Sequence, residues 1–70
     1  MTGEEVKAKA DEIVGRFIPA TNTIEHATHC ALIAVRMQIE TLEIINRAVG
    51  MVEPELLRAK AIETELKSRI

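Results

Sequence analysis

The segment between Pro19 and Gly50 constrains the fold of this chain more than any other feature. Its apolar residues recur at helical spacing and predict one helix over 23–49. At about 1.5 Å per residue, such a helix is roughly 40 Å long. Asn22 or Thr23 is expected to cap its start, and Gly50 is expected to end it.

The predicted helix over 23–49 is apolar on two faces. Residues placed at about 100° intervals give a first face with these members: Ile24, Ala27, Ala31, Ala34, Val35, Leu42, Ile45 and Val49. Leu32 and Ile39 widen that face. A second face, about 120° around the helix, has these members: Cys30, Ile33, Met37, Ile44 and Ala48. A helix that is apolar over most of its circumference is buried over most of it. Two shorter helices cannot cover both faces, so the sequence predicts self-association.

A shorter helix is predicted before this segment. Thr2 and Glu5 have the capping-box spacing, and the apolar periodicity that follows them predicts a helix over 3–18. Pro19 disfavours helical geometry at the residue before it, so we expect this helix to end at Ile18.

A third helix is predicted over 54–69. Pro54 suits its first position. Its apolar stripe has these members: Leu56, Ala59, Ile62, Leu66 and Ile70. Leu57 lies off that stripe and is expected to touch a partner. The predicted fold class is all-α, a three-helix unit in one domain (1–70) whose helical bundle is completed by oligomerisation.

The length and composition of the chain exclude several classes of protein. A chain of 70 residues is too short for a large enzyme fold. Cys30 is the only cysteine, which excludes a disulfide framework. Phe17 is the only aromatic residue among 47% hydrophobic residues, so the core is expected to be aliphatic.

The charge distribution predicts that the chain does not bind a nucleic acid polymer, because its 9 basic residues are scattered among 11 acidic ones. The longest uncharged stretch, 26–35, is about half the length that spans a bilayer, and the acidic start is not that of a signal peptide. We therefore expect a soluble cytoplasmic protein that does not bind membranes.

The predicted oligomer interface has these members: Ile33, Met37, Gln38, Leu42, Ile44, Ile45 and Leu57. Gln38 falls near the centre of the first apolar face, where a buried amide without partners costs a few kcal/mol. It either snorkels to the surface or hydrogen-bonds within one chain, or it fixes the register of an oligomer, as buried amides do in coiled coils. A weaker alternative places Gln38 with Thr41 and Arg36 in a small polar pocket between subunits.

His26, His29 and Cys30 are the best candidates for chemistry. Imidazole and thiolate are zinc ligands, but a complete site needs a further ligand from a Glu or a symmetry mate. The favoured interpretation is a small packed thiol beside two polar neighbours. A Cys-His nucleophile is disfavoured because nothing in the sequence suggests an oxyanion-stabilising loop. No catalytic residue and no cofactor are predicted.

Four segments of the sequence resemble a group of small phage and prophage helical proteins that share a CALIAV-type central helix. The matching segments are 7–14, Phe17, 30–35 and 39–40. The resemblance covers most of the chain and rests mainly on the hexapeptide at 30–35. It implies an accessory protein made inside a bacterial host cell, and it carries over no catalytic residue.

Three functions follow as expectations. The favoured one is non-enzymatic protein binding by a homo-oligomer, as a scaffold or an inhibitor of a host protein. The second is an oligomeric sponge for a small anionic signalling nucleotide, a host-defence antagonist that uses Arg36, Arg47 or Arg58 at a subunit junction. The third is a small metal-dependent enzyme built on the two histidines and Cys30.

Overall fold

The structure, a computed structural model, describes residues 2–70 as three helices. They are α1 (Gly3–Thr21), α2 (Ile24–Ala48) and α3 (Glu53–Ser68). Each helix packs against the other two, and this part of the chain contains no strand. The predicted all-α class is therefore confirmed.

α1 continues through Pro19, so the prediction that it ends at Ile18 is wrong. The helix runs on to Thr21. Pro19 lies in its last turn, where the missing N–H costs only the bond to the Gly15 carbonyl. Asn22 then takes a left-handed conformation with φ of 61° and donates its backbone N–H to the Ile18 carbonyl at 2.8 Å. Asparagine is among the few residues that adopt this conformation readily, so it ends the helix.

The helix caps agree with the sequence signals. The Thr2 hydroxyl accepts the backbone N–H of Glu5 at 3.2 Å. Thr23, rather than Asn22, caps α2, and its hydroxyl accepts the backbone N–H of His26 at 3.1 Å. Gly50 follows α2 with φ of 76°, the left-handed conformation expected of a glycine that ends a helix.

The core between the three helices is small and rich in alanine. Its members are Ala10, Val14, Ala27, Ala31, Leu32, Val35, Ile39, Leu56, Ala59 and Leu66. Ile13, Phe17, Leu42 and Ile62 pack at its edges. Because small side chains let helices approach closely, this core takes up few of the large apolar residues of α2. Several of those residues lie instead on the surface.

Replacing Gly15 by alanine is expected to stabilise the chain. A glycine within a helix costs about 1 kcal/mol relative to alanine, and a Cβ added at Gly15 would meet no atom within 4 Å. Gly15→Ala should raise the free energy of unfolding by about 0.5–1 kcal/mol in a urea titration. Gly50→Ala is the matched control and should lower it, because φ of 76° strains any residue with a Cβ. Changes of the same sign at both positions would contradict this account.

Candidate functional site

Large apolar side chains project from the side of α2 that faces away from the core. Ile33, Met37 and Ile44 are 57%, 64% and 59% exposed. Their spacing of four and seven residues places them on one helix face, beside the half-buried Cys30. We call these four residues the outer stripe. It corresponds to the second apolar face of the sequence prediction.

The first predicted face of α2 is turned into the core of the same chain along its middle. Ala27, Ala31 and Val35 are buried there, whereas Ile24 and Val49 at its two ends are 70% and 65% exposed. Leu42, which was predicted at the oligomer interface, instead packs against the core, because it lies two turns beyond Val35 on the same side. One chain therefore covers one apolar face of α2 and leaves the other open.

Gln38 is exposed, which corrects the expectation of a buried amide. The core-facing side of α2 is centred near Val35 and Ile39, and Gln38 lies at its margin. Among residues 2–70 no hydrogen bond of its side chain is found, so of the two interpretations within one chain its exposure fits the amide that snorkels to the surface. Its role in fixing an oligomer's register stays a prediction.

Two other residues of the predicted interface, Ile45 and Leu57, are not members of the outer stripe. Ile45 is 39% exposed on α2, at the margin between the core and the surface. Leu57 is 60% exposed, but it lies on α3. Both are accessible to a partner, so their place at an interface stays a prediction.

The three predicted ligand-binding arginines do not share one cavity. Arg36 forms an ion pair with Glu63 that joins α2 to α3, with 3.4 Å between Nε and Oε2. Arg47 is exposed near the end of α2. Arg58 lines a shallow groove of about 450 Å³ against α1, together with Glu5, Ala8, Lys9 and Glu12. The two carboxylates in that groove oppose the binding of an anion.

His26, His29 and Cys30 do not assemble into a metal site within one chain. In the part of the chain that the structure describes, no group of three or more His, Cys, Asp or Glu side chains is placed to hold a metal ion. His26 and His29 are exposed, whereas Cys30 is half-buried. His29 lies about 100° around the helix from Cys30 and about 60° from His26, so the three side chains do not converge on one point.

Arg69 is a well-connected charged residue that sequence reasoning missed. Its guanidinium donates to Asp11 at 2.6 Å, to Glu65 at 2.9 Å and to the backbone carbonyl of Lys7 at 3.5 Å. The hydrogen bonds to Glu65 and then to Asp11 raise the pKa of Arg69 above its ordinary value. The network fastens the end of α3 to α1. Only the four-residue spacing of Glu65 and Arg69 hinted at it.

Replacing Arg69 by alanine is expected to loosen α3 from α1. Its side chain is 27% exposed and forms hydrogen bonds with two carboxylates. The loss of stability should therefore exceed the loss caused by removing an isolated surface ion pair. Arg69→Ala should lower the free energy of unfolding by about 1–2 kcal/mol in a urea titration. Arg16→Ala is the control, because Arg16 bonds only Glu12 on the same exposed helix face. Equal losses in the two variants would refute the role of Arg69.

A groove of about 480 Å³ opens beside the Arg69 network, between α1 and the start of α2. Its apolar walls are formed by Val14, Ile18, Ile24 and Ile70. The Thr28 hydroxyl in this groove already donates to the Ile24 carbonyl at 2.7 Å. Ligand sites normally add several placed polar groups to an apolar wall. Here Asp11 and Arg69 are bonded to each other, and Glu25 and His29, which also line the groove, are exposed.

No protein-family model, no curated protein and no solved structure matches the chain. The resemblance to phage proteins, and everything it implies, therefore stays a prediction. Within residues 2–70, none of the helices is both long and apolar enough to cross a membrane. The functional proposal therefore rests on the geometry of the outer stripe.

Proposed function

We propose that this chain is a non-enzymatic protein-binding module that self-associates through the outer stripe of α2. The observation that carries the proposal is the exposure of Ile33, Met37 and Ile44, each more than half accessible on one helix face. Apolar residues scattered singly over a surface are normal, whereas a contiguous apolar face marks an interaction site.

The total surface supports this proposal. The chain exposes 4887 Å², whereas the scaling for monomeric proteins gives about 4,400 Å² for a chain of this mass. This excess of accessible surface is consistent with a chain that buries further surface against a partner.

A second copy of the same chain is the partner that the stripe fits. An apolar stripe on a helix is complementary to itself, and two-fold symmetric pairs are the commonest oligomers. On this proposal the assembled pair is the form that acts on another protein, as a scaffold or an inhibitor of a host protein. The resemblance to phage accessory proteins favours that role.

Self-association is tested by the dependence of thermal unfolding on protein concentration. If folding is coupled to pairing, the Tm measured by circular dichroism should rise over a roughly 100-fold range of concentration. A Tm that stays constant over that range would count against the proposal.

A further inference from the structure

We propose that the two copies pair with their α2 helices antiparallel, in a register centred between Gln38 and Ile39. This inference rests on the proposed self-association. The outer stripe alternates spacings of three and four residues at Cys30, Ile33 and Met37, which is the pattern of a seam between paired helices. The same alternation continues through Glu40, Ile44 and Arg47. We call these six residues, from Cys30 to Arg47, the seam.

One charged residue of this seam, Arg47, disfavours a parallel pair. In a parallel arrangement each seam residue faces its own copy, so Arg47 would face Arg47. Arg47 is exposed in the single chain. Like charges brought together in an apolar seam are destabilising. An antiparallel pair separates the two Arg47 side chains by about 25 Å along the helix axis.

The antiparallel register also matches apolar residues with one another. With the two-fold axis between Gln38 and Ile39, Ile33 of each copy faces Ile44 of the other. Cys30 faces Arg47 of the other copy, near the end of the seam. Met37 packs against the methylene groups of Glu40 of the other copy, and Arg36 lies about 1.5 Å along the axis from that Glu40.

The flanks of the seam are complementary in this register. On one side Arg36 and Glu43 of the other copy lie about 3 Å apart along the axis, within reach of their long side chains. Glu43 is half-buried and takes part in no ion pair among residues 2–70, and Arg36 keeps about half of its side chain exposed. Glu63, the present partner of Arg36, also lies 3.9 Å from Lys67, so it keeps a cation if Arg36 turns toward the second copy.

The other flank of the seam carries small side chains. Ala34 and Thr41 of the second copy lie about 3 Å apart along the axis on this side, and Ala48 continues this side of α2. Small residues let two helix backbones approach closely. One flank therefore permits close packing, and the other brings opposite charges within reach of each other.

The test uses Cys30, the only cysteine of the chain. In the antiparallel register the two Cys30 thiols lie about 25 Å apart along the axis, whereas a parallel pair places them side by side. A short bismaleimide, which cannot span that separation, should therefore leave the wild-type chain uncross-linked. It should cross-link Arg47→Cys into a covalent dimer through Cys30 and the new thiol. The double variant Cys30→Ala/Arg47→Cys is the control and should stay uncross-linked.

Two results would overturn the antiparallel register without touching the proposed function. One is efficient cross-linking of the wild-type chain through Cys30, which indicates a parallel pair. The other is a dimer in sedimentation that Arg47→Cys fails to cross-link. If the chain sediments as a monomer at every concentration, that result contradicts both the proposed function and the proposed register.

Discussion

Ile33→Lys is expected to dissociate the chain into monomers that keep their helical structure. Ile33 is 57% exposed in the single chain, and lysine is a good helix former, so the fold should tolerate the change. In the pair, each copy would bring an uncompensated charge into an apolar seam. Such a charge costs about 3–5 kcal/mol, so the dissociation constant should rise by at least ~100-fold.

Sedimentation velocity measures this effect, and circular dichroism checks that the helices remain. Ile24→Lys is the matched control, because Ile24 is 70% exposed on α2 but lies about 180° around the helix from Ile33, outside the outer stripe. It should sediment as the wild-type chain does. If both variants dissociate alike, or if Ile33→Lys still pairs normally, the outer stripe is not the interface.

Leu66→Ala is expected to bring the chain close to unfolding. Leu66 is the largest fully buried side chain, with 0% exposure. Truncating a buried leucine to alanine costs about 2–5 kcal/mol, because the cavity relaxes only partly. A domain of this length has a total stability of roughly 4–10 kcal/mol. The variant should therefore lose a large share of the helical signal at temperatures where the wild-type chain is folded.

Urea unfolding followed by circular dichroism measures this loss. Leu57→Ala is the control, since the same truncation at an exposed position should change the free energy of unfolding by about 0.5 kcal/mol or less. Similar losses at Leu57 and Leu66 would show that the core is not where the structure places it.

Local signals in the sequence predict much of this fold. The caps at Thr2 and Thr23 and the stop at Gly50 are formed by neighbouring residues, so they can be read from spacing alone. Pro19 misled the prediction because a proline in the last turn of a helix loses only one hydrogen bond. Asn22, which ends α1, is a residue that tolerates the left-handed conformation.

Contacts between helices could not be predicted in the same way. Periodicity shows two apolar faces on α2, but the packing of α1 and α3 decides which of them is covered. That packing buries Val35, half-buries Leu42 and leaves Gln38 at the margin. The bond from Arg69 to Asp11 joins the two ends of the chain, and no spacing rule links residues so far apart.

We propose above all that the chain pairs through the face of α2 that its own helices leave open. Sedimentation equilibrium of the unmodified chain at micromolar concentration decides whether it pairs. We expect twice the chain mass of 7.8 kDa, falling toward the single-chain mass on dilution. A mass of 7.8 kDa at every concentration would show that the chain does not pair.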